Sequence, residues 1–168
     1  MGQIGVSKAR HIRYTRVGGN CFKTMNIYLD GENVSIGGTV EFIKCINCGH
    51  EAIALQLFAD TDMVYHGIIG HGSRQTKELV LTRLTRKEYD SYGRLTGKEL
   101  SSRLNSIFKR EDLEYFKGRH FTKEDGEKIW ARICPNCDRY FVLEKRLNFD
   151  DFIKQGGKII CYSIHERT

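Results

Sequence analysis

Four of the six cysteines form two Cys-x-x-Cys pairs, Cys45 with Cys48 and Cys134 with Cys137, and 85 residues (49–133) separate the pairs. Paired thiols can form disulfides, carry out redox chemistry or bind a metal. A disulfide framework is typical of secreted chains shorter than about 100 residues, and a redox centre needs only one such pair. Four thiolates presented two at a time suit a tetrahedral zinc ion, with Zn–S distances near 2.3 Å. The spacing therefore predicts one structural Zn²⁺ held by four cysteines.

The residues around each pair predict the elements that position them. Apolar runs with β propensity flank both pairs, so each pair is expected on a turn between two strands. Gly49 and Asp138 follow the second cysteine of each pair, and both residue types tolerate a positive φ. Pro135, the only proline, lies inside the second pair, where its fixed φ favours a turn.

This pattern resembles the zinc-ribbon superfamily, in which two Cys-x-x-Cys knuckles on β-hairpins share one zinc ion. The resemblance covers about residues 40–55 and 127–145, and it implies that Cys45, Cys48, Cys134 and Cys137 are the ligands. The chain departs from the family in the length of the connection, since a simple ribbon has about 15–20 residues there. An alternative is two separate sites, each completed by a histidine such as His50 or His66.

The rest of the chain predicts an α+β fold that is mostly antiparallel β with a four-cysteine zinc ribbon and a helical insertion between the knuckles. We expect a single domain, 1–168, with a ribbon core at 9–60 and 125–168 and the insertion at 61–124. The turn at Asp30-Gly31 predicts a hairpin in the first part. Three threonines, each followed three residues later by an acidic residue, predict helix starts at Thr85, Thr96 and Thr122.

Towards the C-terminus, strands are expected at about 128–133, 140–145 and 158–165, with a short helix near 150–155. The two remaining cysteines, Cys21 and Cys161, are expected in the core, because an unpaired cysteine usually behaves as a small buried apolar residue.

The chain is basic, with 27 Lys and Arg against 21 Asp and Glu and a formal net charge of +6. The excess is concentrated in residues 1–30 and 91–120, where aromatic residues stand among the cations. Such a mixture is typical of a surface that binds phosphates and stacks on bases. The candidate nucleic-acid contacts are Lys8, Arg10, Arg13, Tyr14 and Arg16 near the N-terminus, and Arg94, Lys98, Arg103, Lys109 and Arg110 in the insertion. The alternative is an ordinary solvated helical surface, since acidic residues are interspersed.

Catalytic candidates are weak. His66 and His71 lie in a glycine-rich segment and could act as a general base or a metal ligand, as in zinc-anchored HNH nucleases, but no adjacent His-His or Asp-His pair accompanies them. We therefore expect a flexible loop with exposed histidines. Phosphate-binding GxGxxG and Walker patterns are absent from the sequence.

Three functions follow as hypotheses. The leading one is a non-enzymatic, zinc-stabilised protein that binds nucleic acid, or a nucleic-acid-processing protein complex, as a transcription-associated regulator. The second is a regulator or inhibitor that binds a protein of a cellular machine, including a viral protein acting on a host, and the third is a divergent HNH-like nuclease. The sequence has no apolar run of about 18 residues and no apolar stretch near its N-terminus, so we expect no membrane partner and a cytoplasmic location, in the cell or in a host.

Overall fold

The computed structural model describes residues 5–8, 11–17, 20–29, 31–57 and 67–163, with side chains described for 25–29, 31–57 and 67–162. These residues form mostly antiparallel β-structure with three short helices, which confirms that part of the predicted fold class. The elements in chain order are β1 (Gly5–Lys8), β2 (His11–Val17), β3 (Asn20–Leu29), β4 (Glu32–Cys45), β5 (Glu51–Leu57), β6 (Ile68–Ser73), β7 (Glu78–Arg83), α1 (Arg86–Tyr92), α2 (Gly97–Phe108), β8 (Gly118–Thr122), β9 (Lys128–Arg132), β10 (Phe141–Asn148), α3 (Phe149–Lys154) and β11 (Lys158–Ser163).

The long strand β4 organises one sheet, whose order is β10-β4-β3-β2, with β5 also paired to β4. Its first half pairs with β3, and its second half lies between β5 and β10. Because side chains alternate along a strand, its even-numbered residues, such as Ile36 and Val40, point into the main core. Its odd-numbered residues, among them Glu41 and Cys45, point to the opposite face.

A second sheet, in the order β1-β11-β7-β6, packs against the even-numbered face of β4. Strand β11 runs parallel to β7, and the other pairs in this sheet are antiparallel. Leu79, Leu81 and Cys161 from this sheet are buried in the shared core, which confirms the prediction for Cys161. The side chain of Cys21 lies outside the described side chains.

The other face of the second sheet is covered by α2, whose Leu100 and Leu104 are buried against Val80. Two of the three predicted helix starts are confirmed: Thr96 caps α2, and Thr85 caps α1. The predicted start at Thr122 is wrong.

Residues 123–127 form the turn that joins β8 to β9, with Gly126 at a φ of +85°. The carboxylate of Asp125 accepts a hydrogen bond from the amide of Glu127, so the acidic residue stabilises a turn and not a helix. Asp-Gly turn chemistry favours this hairpin over a helix cap. The short helix expected near 150–155 is present as α3.

Between the cysteine pairs the described residues include strands as well as α1 and α2, and the division of the chain into a core and an insertion remains a prediction. Among the described helices, none combines the length and apolar character needed to cross a membrane.

Candidate metal centre

The first cysteine pair lies on a tight turn where β4 ends and β5 begins. The amide of Cys45 donates to the carbonyl of His50 at 2.8 Å, and the amide of Gly49 donates to the carbonyl of Cys45 at 3.3 Å. Gly49 has a φ of +76°, a conformation that costs glycine little. The turn therefore holds both thiols on one side of the chain.

The second pair repeats the same pattern. The amide of Cys134 donates to the carbonyl of Arg139 at 2.7 Å, and that of Asp138 donates to the carbonyl of Cys134 at 2.9 Å. Asp138 has a φ of +60°, as the sequence predicted for this position. Two turns of equal length and hydrogen bonding are what the two Cys-x-x-Cys spacings require.

The four sulfur atoms come together. Cys45 Sγ lies 3.4 Å from Cys137 Sγ, Cys48 Sγ lies 3.6 Å from Cys134 Sγ, and all four lie within 4.8 Å of one another. A tetrahedral ion with metal–sulfur bonds of about 2.3 Å needs its sulfur atoms about 3.8 Å apart. The spacing fits a single metal ion, and each close pair joins one knuckle to the other.

Strand pairing, not the intervening chain, brings the knuckles together. Strand β10 follows the second knuckle directly and pairs with β4, so that Phe141 stands opposite Cys45. The amide of Ile46 in the first turn also donates to the carbonyl of Tyr140 at 3.1 Å. The site is thus fixed at the end of the longest strand.

The environment of the thiols is uneven. Cys45 and Cys134 are buried beside Phe116 and Phe141, whose rings meet edge to face, whereas Cys48 is exposed. Burial raises the pKa of the Cys134 thiol to about 12. The pKa of Cys137 is lowered to about 6, mainly because the backbone amide of Arg139 donates a hydrogen bond to its sulfur. A bound cation would offset the cost of a buried thiolate, so metal binding at this site would release protons.

The histidines do not join the cluster. The ring Nε2 of His50 lies 2.8 Å from a carboxylate oxygen of Glu114. The single sulfur cluster disagrees with two separate sites completed by histidine. His66, the other candidate for that role, lies outside the described residues.

His71 does not lie in a loop. It is buried in strand β6, where its ring packs 5.2 Å from that of Tyr115, and neither ring nitrogen has a hydrogen-bond partner among the described residues. Burial lowers its pKa to about 3. The expectation of an exposed histidine in a flexible loop is therefore wrong for His71.

The predicted basic residues on and around α2 divide into two groups. Arg110 is half-buried and bonded to Glu78 and Asp112, which raises its pKa above the ordinary value. The other four, Arg94, Lys98, Arg103 and Lys109, are exposed. Of the N-terminal candidates, Arg10 and the side chains of Lys8, Arg13, Tyr14 and Arg16 lie outside the described part of the structure.

Sequence reasoning missed a second polar site, centred on Glu41, which lies four residues before Cys45 on β4. The buried carboxylate of Glu41 accepts hydrogen bonds from Arg132 at 2.7 Å and from Arg146 at 3.0 Å. Trp130, two residues before Arg132, is 66% exposed. The available signal was a glutamate among the apolar residues of a long strand, which requires a cationic partner if that position is buried.

Comparison with known proteins gives no relative: neither a family model nor a curated protein nor a solved structure matches the chain.

Proposed function

We propose that this protein is a non-enzymatic nucleic-acid-binding protein stabilised by one structural zinc ion. The observation that carries the zinc part of the proposal is the cluster of four sulfur atoms within 4.8 Å of one another. Four protein ligands complete a tetrahedral coordination shell, so no position is left for a reactive water, as is usual for a structural zinc. The short sulfur–sulfur distances favour one ion over a multi-iron cluster, the other common occupant of a four-thiolate site.

Metal analysis tests the zinc assignment. The purified protein is expected to contain one zinc ion per chain, and Cys45→Ser to lose most of it and unfold at a lower temperature. Cys161→Ala is the matched control, because Cys161 is equally buried but belongs to the main core and not to the cluster. Metal-free protein, or equal zinc content in the two variants, would contradict the assignment.

Charge supports the nucleic-acid part of the proposal. The net charge is +6, and Arg94, Lys98, Arg103 and Lys109 present cationic side chains to solvent. Phosphate contacts release counterions, so affinity for nucleic acid falls steeply between about 50 and 200 mM salt.

Fluorescence anisotropy with labelled DNA and RNA at these salt concentrations tests the binding. We expect Arg103→Gln to weaken binding and to reduce the salt dependence, whereas Lys154→Gln, an exposed cation on α3, serves as a charge-matched control. Absence of nucleic-acid binding even at low salt would favour the protein-binding regulator instead.

A nuclease is the third hypothesis, and the burial of His71 speaks against that residue as a base acting on a large substrate. Incubation of the protein with DNA and RNA in the presence of Mg²⁺ is expected to give no cleavage.

A further inference from the structure

A groove of about 480 Å³ lies between strand β9 and the odd-numbered face of β4. Trp130 stands on one wall of the groove, and Glu41 and Ile43 lie on the other. Trp130 is also the only tryptophan in the chain. A tryptophan that is 66% exposed gains little from packing in the free protein, which makes it available to a ligand.

The position of the indole is fixed by its neighbours on β8. A Cβ atom on Gly118 would lie 2.8 Å from the indole Nε1 and 2.9 Å from two ring carbons, so the ring rests directly against the backbone at Gly118. The ring of His120 meets it edge-on, with centroids 5.0 Å apart. The indole is thus held from one side while most of its surface remains open.

The groove also carries an excess of positive charge. Two guanidinium groups, those of Arg132 and Arg146, share the single carboxylate of Glu41. Arg132 is 20% exposed and is also bonded to the carbonyl of Leu55 and the side chain of Gln56. Arg146 is 55% exposed, and in the described part of the structure Glu41 is the partner of one of its five N–H donors. Arg146 can therefore bind an anion without giving up its contact with Glu41.

We propose that this groove binds single-stranded nucleic acid, with a base stacked on the open face of Trp130 and a phosphate bound by Arg146. The inference rests on the proposed nucleic-acid function and assigns it a site. An aromatic ring beside cations is the arrangement by which proteins bind single strands, because every base has a face that can stack and every linkage has a charge. In a duplex the base faces are covered by neighbouring bases, so a double strand offers Trp130 nothing to stack on.

The single tryptophan makes the test direct. A single-stranded oligodeoxythymidylate of about 16 nucleotides, the upper size of one single-strand site, is titrated into the zinc-loaded protein at low salt. Tryptophan fluorescence and the anisotropy of a label on the oligonucleotide are recorded together. We expect the oligonucleotide to quench Trp130 over the same concentration range in which the anisotropy rises, and a duplex of equal length to quench it less.

Variants separate stacking from folding. Loss of one stacked base is expected to weaken binding by about 5- to 150-fold, so Trp130→Ala should raise Kd by that factor while Trp130→Phe retains part of the affinity. Tyr89→Ala, which removes an exposed aromatic ring on α1, is the matched control and should leave Kd unchanged. Gly118→Ala keeps the indole but displaces it and should also weaken binding. Zinc content and the unfolding midpoint of each variant establish that the fold is retained.

Three other results would overturn the inference, and each has a different interpretation. If the anisotropy rises while Trp130 is not quenched and Trp130→Ala binds normally, the protein binds nucleic acid through another surface and this site is wrong. If the anisotropy does not rise at low salt, the proposed function fails together with the site. If polyglutamate quenches Trp130 and the oligonucleotide does not, the groove is a site for an acidic protein.

Discussion

His71 is a buried imidazole whose two nitrogens lack hydrogen-bond partners among the described residues. Leaving such atoms unpaired has a cost, and protonation would add a buried charge with Tyr115 as its ring neighbour. Its pKa in the folded protein, about 3, lies below the ordinary value of 6.5. The folded state therefore disfavours the proton, and the unfolded state binds it more readily.

The consequence is a loss of stability in acid. The contribution of His71 to the free energy of unfolding is fully present above about pH 6.5, and it is lost as the pH falls from there towards about 3. Between about pH 7 and pH 5 the free energy of unfolding should fall by about 2 kcal/mol on account of this residue. Urea denaturation of the wild type and of His71→Phe at both pH values measures the difference. Equal pH dependence of the free energy of unfolding in the two proteins would show that His71 does not contribute to it. His120→Gln is the control, because it removes an exposed histidine.

Glu41 gives the second prediction for a single residue. Its carboxylate is buried between two guanidinium groups, of which that of Arg132 is the more buried. Removing one partner of a buried ion pair costs about 3–5 kcal/mol, whereas an exposed pair contributes about 1 kcal/mol or less. Arg132→Met should therefore lower the free energy of unfolding by about 3 kcal/mol and Arg146→Met by much less. Denaturant unfolding of the two variants measures this, and equal losses would contradict it.

Among the elements, the helix caps show how far local sequence predicts structure. Thr85, Thr96 and Thr122 carry the same threonine-to-acid spacing, yet only the first two start helices. After Thr96 the apolar residues recur at helical spacing and pack on the sheet, while after Thr122 the Asp125-Gly126 dipeptide forms a turn. The cap is a weak signal that the residues following it can override.

The capping difference is measurable. Thr96→Ala removes the hydrogen bond that the side chain accepts from the amide of Glu99, and it should lower the free energy of unfolding by about 1 kcal/mol. Thr122→Ala, at an exposed position on β8, should change the free energy of unfolding by only about a few tenths of a kcal/mol. Thermal or urea unfolding measures the loss of stability in each variant. A loss of similar size in both variants would rule out the capping explanation.

The segment around His71 shows a second limit of structure prediction from local sequence. Its glycines predicted a flexible loop, whereas they form a strand whose Gly70 and Gly72 allow Leu55 and Ile53 of the facing sheet to approach the backbone. A Cβ atom at Gly70 would lie 2.7 Å from a methyl group of Leu55. Close packing between sheets selects small residues just as turns do, and the identity of the residue alone does not distinguish the two.

At the scale of the whole molecule, the cysteine cluster was predictable because its four residues carry a spacing that few other structures need. The groove beside Trp130 was not predictable from the sequence, because the groove forms only where β8, β9 and β4 lie next to one another. The parallel pairing of β11 with β7 is likewise a long-range contact without a local pattern. Local patterns in the sequence predict most of the strands. They do not predict how the strands assemble into two packed sheets, which only the structure shows.

Removing the metal should act on one region first. Cys45 and Cys134 belong to the cluster around Phe116 and Phe141, whereas the main core between the sheets contains none of the four ligands. Structural zinc can contribute about 10–16 kcal/mol to folding of small domains. After treatment with a chelator, we expect amide hydrogens in the two knuckles and in β8 and β9 to exchange faster while those of β7 and β11 stay protected. Hydrogen exchange read out by mass spectrometry measures this, and uniform loss of protection would show that metal release unfolds the whole chain.

The place of β11 between β1 and β7 bears on how the chain folds as it is made. At a synthesis rate of about 5–20 residues per second, roughly 4 to 16 seconds pass between the completion of β7 at Arg83 and that of β11 at Ser163. Throughout that time β7 has one open edge, and the second cysteine pair, Cys134 and Cys137, is made only in the second half of the interval. An unpaired strand edge is a template for wrong pairing. The newly made chain is therefore most exposed to aggregation before its last strand enters the middle of the sheet.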